Sequence, residues 1–128
     1  MTKLYLIRGI PGSGKTTLAE EMLNSGMIDH ATEADKFMVD DNLNYKFDPE
    51  KLKLCHKLCQ QDAEGFLEMG CNVAVSNTFT RKWEMQAYLD MAEKHGVKIA
   101  IIVCQGEYEN THGVPQSVVK KMKNRFEW

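Results

Sequence analysis

One motif near the amino terminus constrains this chain more than any other feature of its sequence. Residues 9–16 read Gly-Ile-Pro-Gly-Ser-Gly-Lys-Thr, which matches the pattern G-x-x-x-x-G-K-[ST] at every fixed position. A short apolar run over residues 3–8 precedes the motif, and helical spacing follows it. A strand, a glycine-rich loop and a helix in this order present a cradle of backbone amides that binds phosphate groups. The alternative, a glycine-rich turn without a ligand, gives no reason for the lysine.

The residues of this phosphate loop contribute different groups to the binding of a nucleoside triphosphate. Glycines let the backbone curl so that successive amides point into one concavity, and the following helix adds its positive end. Lys15 supplies a charge for the terminal phosphates, and the Thr16 hydroxyl is a ligand for Mg²⁺. The sequence therefore predicts binding of ATP, or another nucleoside triphosphate, together with Mg²⁺. The predicted nucleotide-binding residues of the loop are Gly12, Ser13, Gly14, Lys15, Thr16 and Thr17.

Strand and helix patterns alternate along the rest of the chain. The predicted strands and helices, in chain order, cover residues 3–8, 15–24, 27–33, 49–69, 72–76, 80–95, 97–103 and 115–128. Residues 36–48 are polar and irregular, and the helix over 80–95 counts Trp83 among its apolar residues. This alternation predicts an α/β protein with a parallel sheet and helices on its faces. Ligands of such sheets bind at the carboxyl ends of the strands.

Length and composition limit the class of protein. A chain of 128 residues has room for one domain, residues 1–128, and one core. The hydrophobic share is 43%, and no apolar run approaches the roughly 18 residues of a membrane span, so we expect a cytoplasmic globular protein without membrane contact. The net charge of −2 gives no broad basic surface, so any nucleic acid should be held locally, at one end. The cysteines, including Cys55 and Cys59 on one predicted helical face, are interpreted as reduced thiols.

If the bound phosphate is transferred, the acceptor needs a base, and Asp35 is the best candidate. It follows the second predicted strand, so it should lie at the same edge of the sheet as the phosphate loop, where an acceptor hydroxyl would sit. The alternative is an aspartate that caps the loop ahead of Lys36, which its position fits equally well.

Further motifs follow in order along nearly the whole chain. They are Asn77-Thr78, Trp83-Glu84-Met85, Asn110-Thr111-His112-Gly113-Val114-Pro115 and Arg125-Phe126-Glu127. Together with the phosphate loop and Asp35, these motifs resemble a P-loop kinase family that includes the phage-type polynucleotide 5′-kinases, among AAA-type ATP-binding and zeta-toxin-like P-loop kinases. The phosphate loop occurs in many NTPases, whereas the Trp-Glu-Met and His-Gly-Val-Pro motifs are much narrower.

This resemblance implies a three-layer P-loop kinase fold, with a parallel sheet of four to five strands flanked by helices. It implies that Asp35 is the general base that activates a 5′-hydroxyl and that Lys15 and Thr16 hold the phosphates and Mg²⁺. It also implies an arginine on a lid over the γ-phosphate, and it makes Arg125 a candidate nucleotide contact because that residue lies in a shared motif.

The chain departs from the family pattern at several positions. Asn77 and Phe79 replace a common aspartate and a common asparagine, and Met38 stands where polynucleotide kinases place an arginine for the substrate's phosphate. The short lid, residues 106–110, has two glutamates where arginine is usual. Arg81 and Lys82, just after Asn77-Thr78, are the candidate replacements for the lid arginine, and solvated side chains of a first helical turn are the equally good alternative.

Three functions fit these observations. The first is a Mg²⁺–ATP-dependent kinase of a nucleic-acid 5′-hydroxyl, with Asp35, Lys15 and Arg81 as catalytic residues. The second is a kinase of a nucleoside, a nucleotide or another small metabolite that carries a hydroxyl. The third is a non-catalytic ATP-binding protein that has lost its lid arginine. The sequence gives no signal for the adenine contacts, for ATP over GTP or for an oligomeric state.

Overall fold

The computed structural model describes residues 2–106 and 114–128 of the chain. Its described part contains one sheet of four parallel strands in the order β2-β3-β1-β4. The strands are β1 (Lys3–Arg8), β2 (His30–Thr32), β3 (Val73–Asn77) and β4 (Lys98–Val103). Arg8, the last residue of β1, pairs with Asn77 on one side and with Val103 on the other. The carboxyl ends of these three strands therefore meet at one edge of the sheet.

A helix follows each of the four described strands along the chain. They are α1 (Lys15–Asn24), α2 (Leu52–Glu68), α3 (Gln86–His95) and α4 (Gln116–Arg125), with short 3₁₀ turns at Ala34–Phe37, Pro49–Lys51 and Lys82–Met85. The turn ahead of α2 begins as its sequence predicts, because the Asp48 carboxylate accepts a hydrogen bond of 3.0 Å from the Glu50 amide and Pro49 occupies the first turn. No helix in the described part of the chain combines the length and the apolar character needed to cross a bilayer.

Side chains alternate between the two faces of the sheet and form two cores. On one face, strand residues such as Leu4, Leu6 and Val75 pack against α2 and α3. On the other, Tyr5 and Ile7 pack against α1. Full burial of one such side chain contributes about 2 kcal/mol, so these faces fix the positions of the helices on the sheet. The predicted α/β class is confirmed, with the sheet as the middle of three layers and four strands within the predicted four to five.

Several local expectations need correction. The strand predicted over residues 27–33 is only His30–Thr32. The predicted helix over 80–95 begins as a 3₁₀ turn and is α-helical from Gln86, and Trp83 in that turn is 74% exposed rather than packed. Residues 36–48, predicted to be irregular, begin with the end of the turn Ala34–Phe37 and include a small hairpin in which Val39 pairs with Tyr45. The hydrophobic pattern alone cannot show these features because they are built on local backbone hydrogen bonds.

Arg8, at the end of β1, anchors the carboxyl-terminal tail beside the sheet. Its side chain is 2% exposed, and Nε and Nη2 donate to the Phe79 carbonyl over 3.1 and 2.7 Å. Nη2 also donates to the Glu127 carbonyl, and the guanidinium lies 4.4 Å from the ring centre of Phe126. Charge-assisted bonds of this kind are stronger than neutral ones, and the aromatic ring adds a cation–π contact. Arg8 thus serves the fold and is turned toward the tail.

Candidate active site at the carboxyl edge of the sheet

The phosphate loop connects β1 to α1 at the edge where the strands end. Gly12 and Gly14 have φ angles of 83° and 99°, a left-handed conformation that side chains other than glycine rarely adopt. The Ser13 amide donates to the Ile10 carbonyl over 3.1 Å, and the Leu18 amide donates to the Gly14 carbonyl over 3.0 Å as α1 begins. The glycines of the motif therefore have the conformational role that the sequence predicted, and the amino-terminal end of α1 opens directly from the loop.

Lys15 lies folded over this loop. Its Nζ donates to the Gly9 carbonyl over 2.8 Å and to the Ile10 carbonyl over 3.0 Å. Burial lowers the pKa of the Lys15 ammonium from its usual value, and the charges of Glu33, Cys104 and Asp35 act in the opposite direction. The ammonium is thus held at the mouth of the loop by neutral carbonyls, within the field of two carboxylates.

A hydroxyl and a carboxylate meet beside the loop. Thr16 Oγ1 donates to Glu33 Oε2 over 3.4 Å, which joins the start of α1 to the residue that follows β2. Both are hard oxygen donors, the kind that Mg²⁺ prefers. Two oxygens at right angles on one Mg²⁺ lie about 2.9 Å apart, given bonds of about 2.05 Å, so a small movement suits this pair to shared coordination.

The turn that carries Asp35 is fixed to the sheet by Asn77. The Asn77 Oδ1 accepts a hydrogen bond of 2.9 Å from the Ala34 amide, and its Nδ2 donates to Cys59 Sγ over 3.8 Å. Asn77 is 7% exposed at the end of β3. An amide side chain can donate and accept at the same time, which an ionised aspartate cannot. Where the family commonly has an aspartate, Asn77 therefore makes a second hydrogen bond, in which its amide donates to the Cys59 thiol of α2.

A cavity of about 440 Å³ lies between the phosphate loop and this turn. Lys15 and Asp35 both line it, so the predicted cation and the predicted base face one space. The volume falls within the range of about 300–1,000 Å³ of ligand pockets. The other lining residues are Pro11, Glu33, Ala34, Met38, Tyr45, Phe47, Leu52, Cys55, His56, Ser76, Asn77, Thr78, Val114, Pro115, Val118 and Met122.

The two predicted arginines lie together at the turn after β3, and neither is among the residues that line the cavity. Arg125 Nε donates to Thr80 Oγ1 over 3.2 Å. Arg81 is exposed, and its amide donates to Glu84 Oε2 over 2.6 Å. The roles assigned to these arginines stay predictions. The glutamates of the short lid and His112 lie outside the described residues.

Sequence reasoning missed three residues of the site, Glu33, Tyr45 and Phe47. Glu33 stands two residues before Asp35, and its position directly after β2 was a signal for a carboxylate at this edge. Tyr45 and Phe47, which line the cavity, come from the segment that looked irregular. Cys55 and Cys59 are buried, as the helical spacing predicted, and burial raises the pKa of both thiols.

Comparison with known proteins gives a family and a fold. A family model described as an AAA domain matches residues 4–110. Human NEDD4-binding protein 2 is 29% identical over 137 residues, an alignment that covers 97% of this chain and 8% of that protein. The chain thus spans less than a tenth of the length of this curated relative.

Solved structures with low sequence identity share the fold. A chain of the Pnkp1/Rnl/Hen1 RNA repair complex superposes with a TM-score of 0.75 at 17% identity, over 98% of this chain and 44% of that one. The APS kinase CysC of Mycobacterium tuberculosis gives a TM-score of 0.64 at 13% identity, over 99% and 98%. A gluconokinase from Sinorhizobium meliloti gives 0.65 at 14% identity, over 98% and 75%. The architecture is that of the P-loop kinases.

Proposed function

The chain belongs to the AAA domain family, and we propose that it is a Mg²⁺–ATP-dependent phosphotransferase that acts on a hydroxyl. The observation that carries this proposal is the shared cavity of Lys15 and Asp35. A phosphate cradle alone serves any NTPase, whereas a carboxylate that faces the same space can receive a proton from an acceptor. A nucleic-acid 5′-hydroxyl is the first candidate acceptor, supported by the structural likeness to a chain of an RNA repair complex.

The transfer step assigns a role to each group. Asp35 accepts the proton of the acceptor hydroxyl while the oxygen of that hydroxyl bonds to the γ-phosphorus. The bond from the γ-phosphorus to the β–γ bridging oxygen breaks, and ADP leaves. Lys15 exchanges its two carbonyl partners for phosphate oxygens and stabilises the charge that moves onto the leaving group. The backbone amides from Gly12 to Thr17 hold the phosphates that are not transferred.

Thr16 and Glu33 are the residues that would hold Mg²⁺. Their oxygens already lie 3.4 Å apart beside the phosphate loop. Bound there with the nucleotide, Mg²⁺ would neutralise charge on the β- and γ-phosphates. The Glu33 carboxylate would thus be the negatively charged protein ligand of the metal, which Asn77, in place of the family's common aspartate, cannot be.

Arg81 and Arg125, at the turn after β3, have proposed roles in the transfer step. Arg81 would cover the charge of the transferred group from this turn, and Arg125 would contact the nucleotide or hold the turn through its bond to Thr80. A kinase of a small molecule is the second candidate function, since a cavity of about 440 Å³ takes one small acceptor or one terminal nucleotide.

Transfer of labelled γ-phosphate to a panel of acceptors tests the proposal. We expect product with 5′-hydroxyl DNA or RNA oligonucleotides or with nucleosides, and a loss of at least about a hundredfold in Lys15→Ala, because one charged donor at the developing charge is removed. Lys98→Ala is the matched control, since Lys98 is exposed at the opposite end of the sheet. ATP binding without product from any acceptor would leave the non-catalytic alternative.

The Glu33→Gln variant tests the metal site by binding alone. The Mg²⁺ concentration that half-saturates its effect on ATP affinity should rise about tenfold, because a carboxylate ligand becomes a neutral amide. Affinity for ATP in EDTA should be unchanged or higher, since a negative charge near the phosphates is lost. Calorimetric titrations across a Mg²⁺ series measure both, with Glu93→Gln on the exposed side of α3 as control. An unchanged Mg²⁺ dependence would remove Glu33 from the site.

A further inference from the structure

The side chains that line the cavity are charged near the phosphate loop and mostly apolar elsewhere. Lys15, Glu33 and Asp35 supply its charged side chains near the loop. Beyond them the walls are mostly apolar, formed by Met38, Tyr45, Phe47, Leu52, Cys55, Val118 and Met122, and the polar side chains of His56, Ser76, Asn77 and Thr78 also line the cavity. A pocket with a few polar groups at one end and apolar walls elsewhere orients a ligand by the former and gains affinity from the latter. The acceptor body therefore meets an apolar surface.

Positive charge in this cavity comes from the phosphate loop. Among the described lining residues, Lys15 is the one lysine or arginine, while two carboxylates face the same space. Met38, 1% exposed, packs against Cys55 with their sulfurs 3.9 Å apart. A second anionic group on the acceptor would lose hydration here, and besides Lys15 the described lining residues offer it no lysine or arginine and one histidine, His56.

A hairpin presents two aromatic side chains to this cavity. Its backbone is closed by hydrogen bonds from the Asp40 amide to the Asn44 carbonyl, 2.9 Å, and from the Lys46 amide to the Met38 carbonyl, 3.1 Å. Tyr45 pairs with Val39 across the hairpin, and Phe47 follows two residues later. Burial and the nearby charge of Asp35 raise the pKa of the Tyr45 phenol. Both aromatic side chains thus line the cavity that the candidate base Asp35 faces.

We infer that the acceptor is a neutral nucleoside unit, whose base lies against Tyr45 and Phe47 while its 5′-hydroxyl reaches Asp35, and that no phosphate of the acceptor is recognised. This rests on the proposed phosphotransferase activity. Planar bases stack on aromatic side chains with little regard to sequence. A polyhydroxy acid would place its carboxylate and several hydroxyls against walls that are mostly apolar, where few of these groups find partners. For a polynucleotide, the terminal nucleoside alone enters the cavity.

Calorimetric titration of the full chain saturated with Mg²⁺–ADP tests the inference, because ADP fills the nucleotide site. The probes are thymidine, thymidine 3′-monophosphate and gluconate. We expect thymidine to bind, its 3′-phosphate to bind no more tightly, and gluconate not to bind. Phe47→Ala should weaken thymidine binding about tenfold, given the usual size of base stacking on an aromatic ring. Leu43→Ala, an exposed hairpin position outside the cavity lining, should leave it unchanged.

The outcomes separate the inference from the proposed function. Thymidine 3′-monophosphate binding ten times more tightly than thymidine would show a phosphate site and overturn the inference, as would full thymidine affinity in Phe47→Ala. Phosphate transfer to some other acceptor without thymidine binding would also overturn it while the phosphotransferase proposal stands. Thymidine bound through Phe47 without transfer to any acceptor would instead refute the phosphotransferase and leave the nucleoside site.

Discussion

The Asp35→Asn variant is expected to lose phosphate transfer by about a hundredfold to ten-thousandfold in kcat, the usual contribution of a general base. Asparagine has nearly the same shape but cannot accept the proton of the acceptor hydroxyl. Affinity for Mg²⁺–ATP should be unchanged or slightly higher, because the charge of Asp35 lies near Lys15 and the phosphates. A loss confined to the chemical step distinguishes a base from a residue that merely caps its loop.

Steady-state transfer to the best acceptor of the panel and calorimetric ATP affinity together measure this effect. Asp90→Asn, an exposed position on α3, is the matched control and should keep full activity. A melting temperature equal to that of the parent excludes a folding defect, since the Ala34 amide that fixes this turn keeps its bond to Asn77. Full transfer by Asp35→Asn would show that another group takes the proton.

The elements that the sequence predicted well are those encoded by local physics. A strand, a glycine-rich loop and a helix share residues 3–24, so the position of Lys15 follows from backbone conformation over a short segment. Asp35 was also placed correctly at the sheet edge, because residues that follow parallel strands share one edge. Its exact partners were beyond the sequence, since the Asn77 side chain that holds its turn is more than 40 residues away.

Short turns and hairpins could not be recognised from the hydrophobic pattern. Trp83 was assigned to a packed helical face, yet it lies in a 3₁₀ turn whose side chains do not follow the helical period and is exposed. The hairpin that carries Tyr45 has a polar sequence because backbone hydrogen bonds and the Asp40 carboxylate, rather than a core, maintain it. Polar sequence therefore concealed an ordered wall of the cavity.

Phe79 occupies a position whose backbone is left-handed, a requirement that the sequence alone does not reveal. The family's common asparagine tolerates the left-handed region, and Phe79 has a φ of 45° there. A bulky residue in this conformation is strained by about 1–3 kcal/mol. The strain is offset where the ring packs edge-on to Tyr88, with centroids 5.6 Å apart, and where the carbonyl accepts two bonds from Arg8. Arg8 thus supports a strained turn as well as the tail.

Replacing Arg8 by methionine is therefore expected to lower the free energy of unfolding by about 3 kcal/mol. The variant leaves the carbonyls of Phe79 and Glu127 without the guanidinium, and each buried unsatisfied group costs about 1–3 kcal/mol. For a chain of this length that corresponds to a melting temperature lower by about 10 °C. Urea unfolding followed by circular dichroism measures the first quantity, and a thermal scan measures the second.

A cycle of variants distinguishes this anchor from a general effect of charge removal. Lys121→Met removes a cation from an exposed position of α4 and should change stability by less than about 0.5 kcal/mol. Phe126→Ala removes the ring under the guanidinium, and because it shares a contact with Arg8 the double variant should lose less than the sum of the single losses. Strict additivity would show that the ring and the arginine act independently, and a loss below 1 kcal/mol in Arg8→Met would refute the anchor. Folded Arg8→Met should still bind Mg²⁺–ATP, because the Lys15 ammonium bonds to the loop carbonyls and not to the tail.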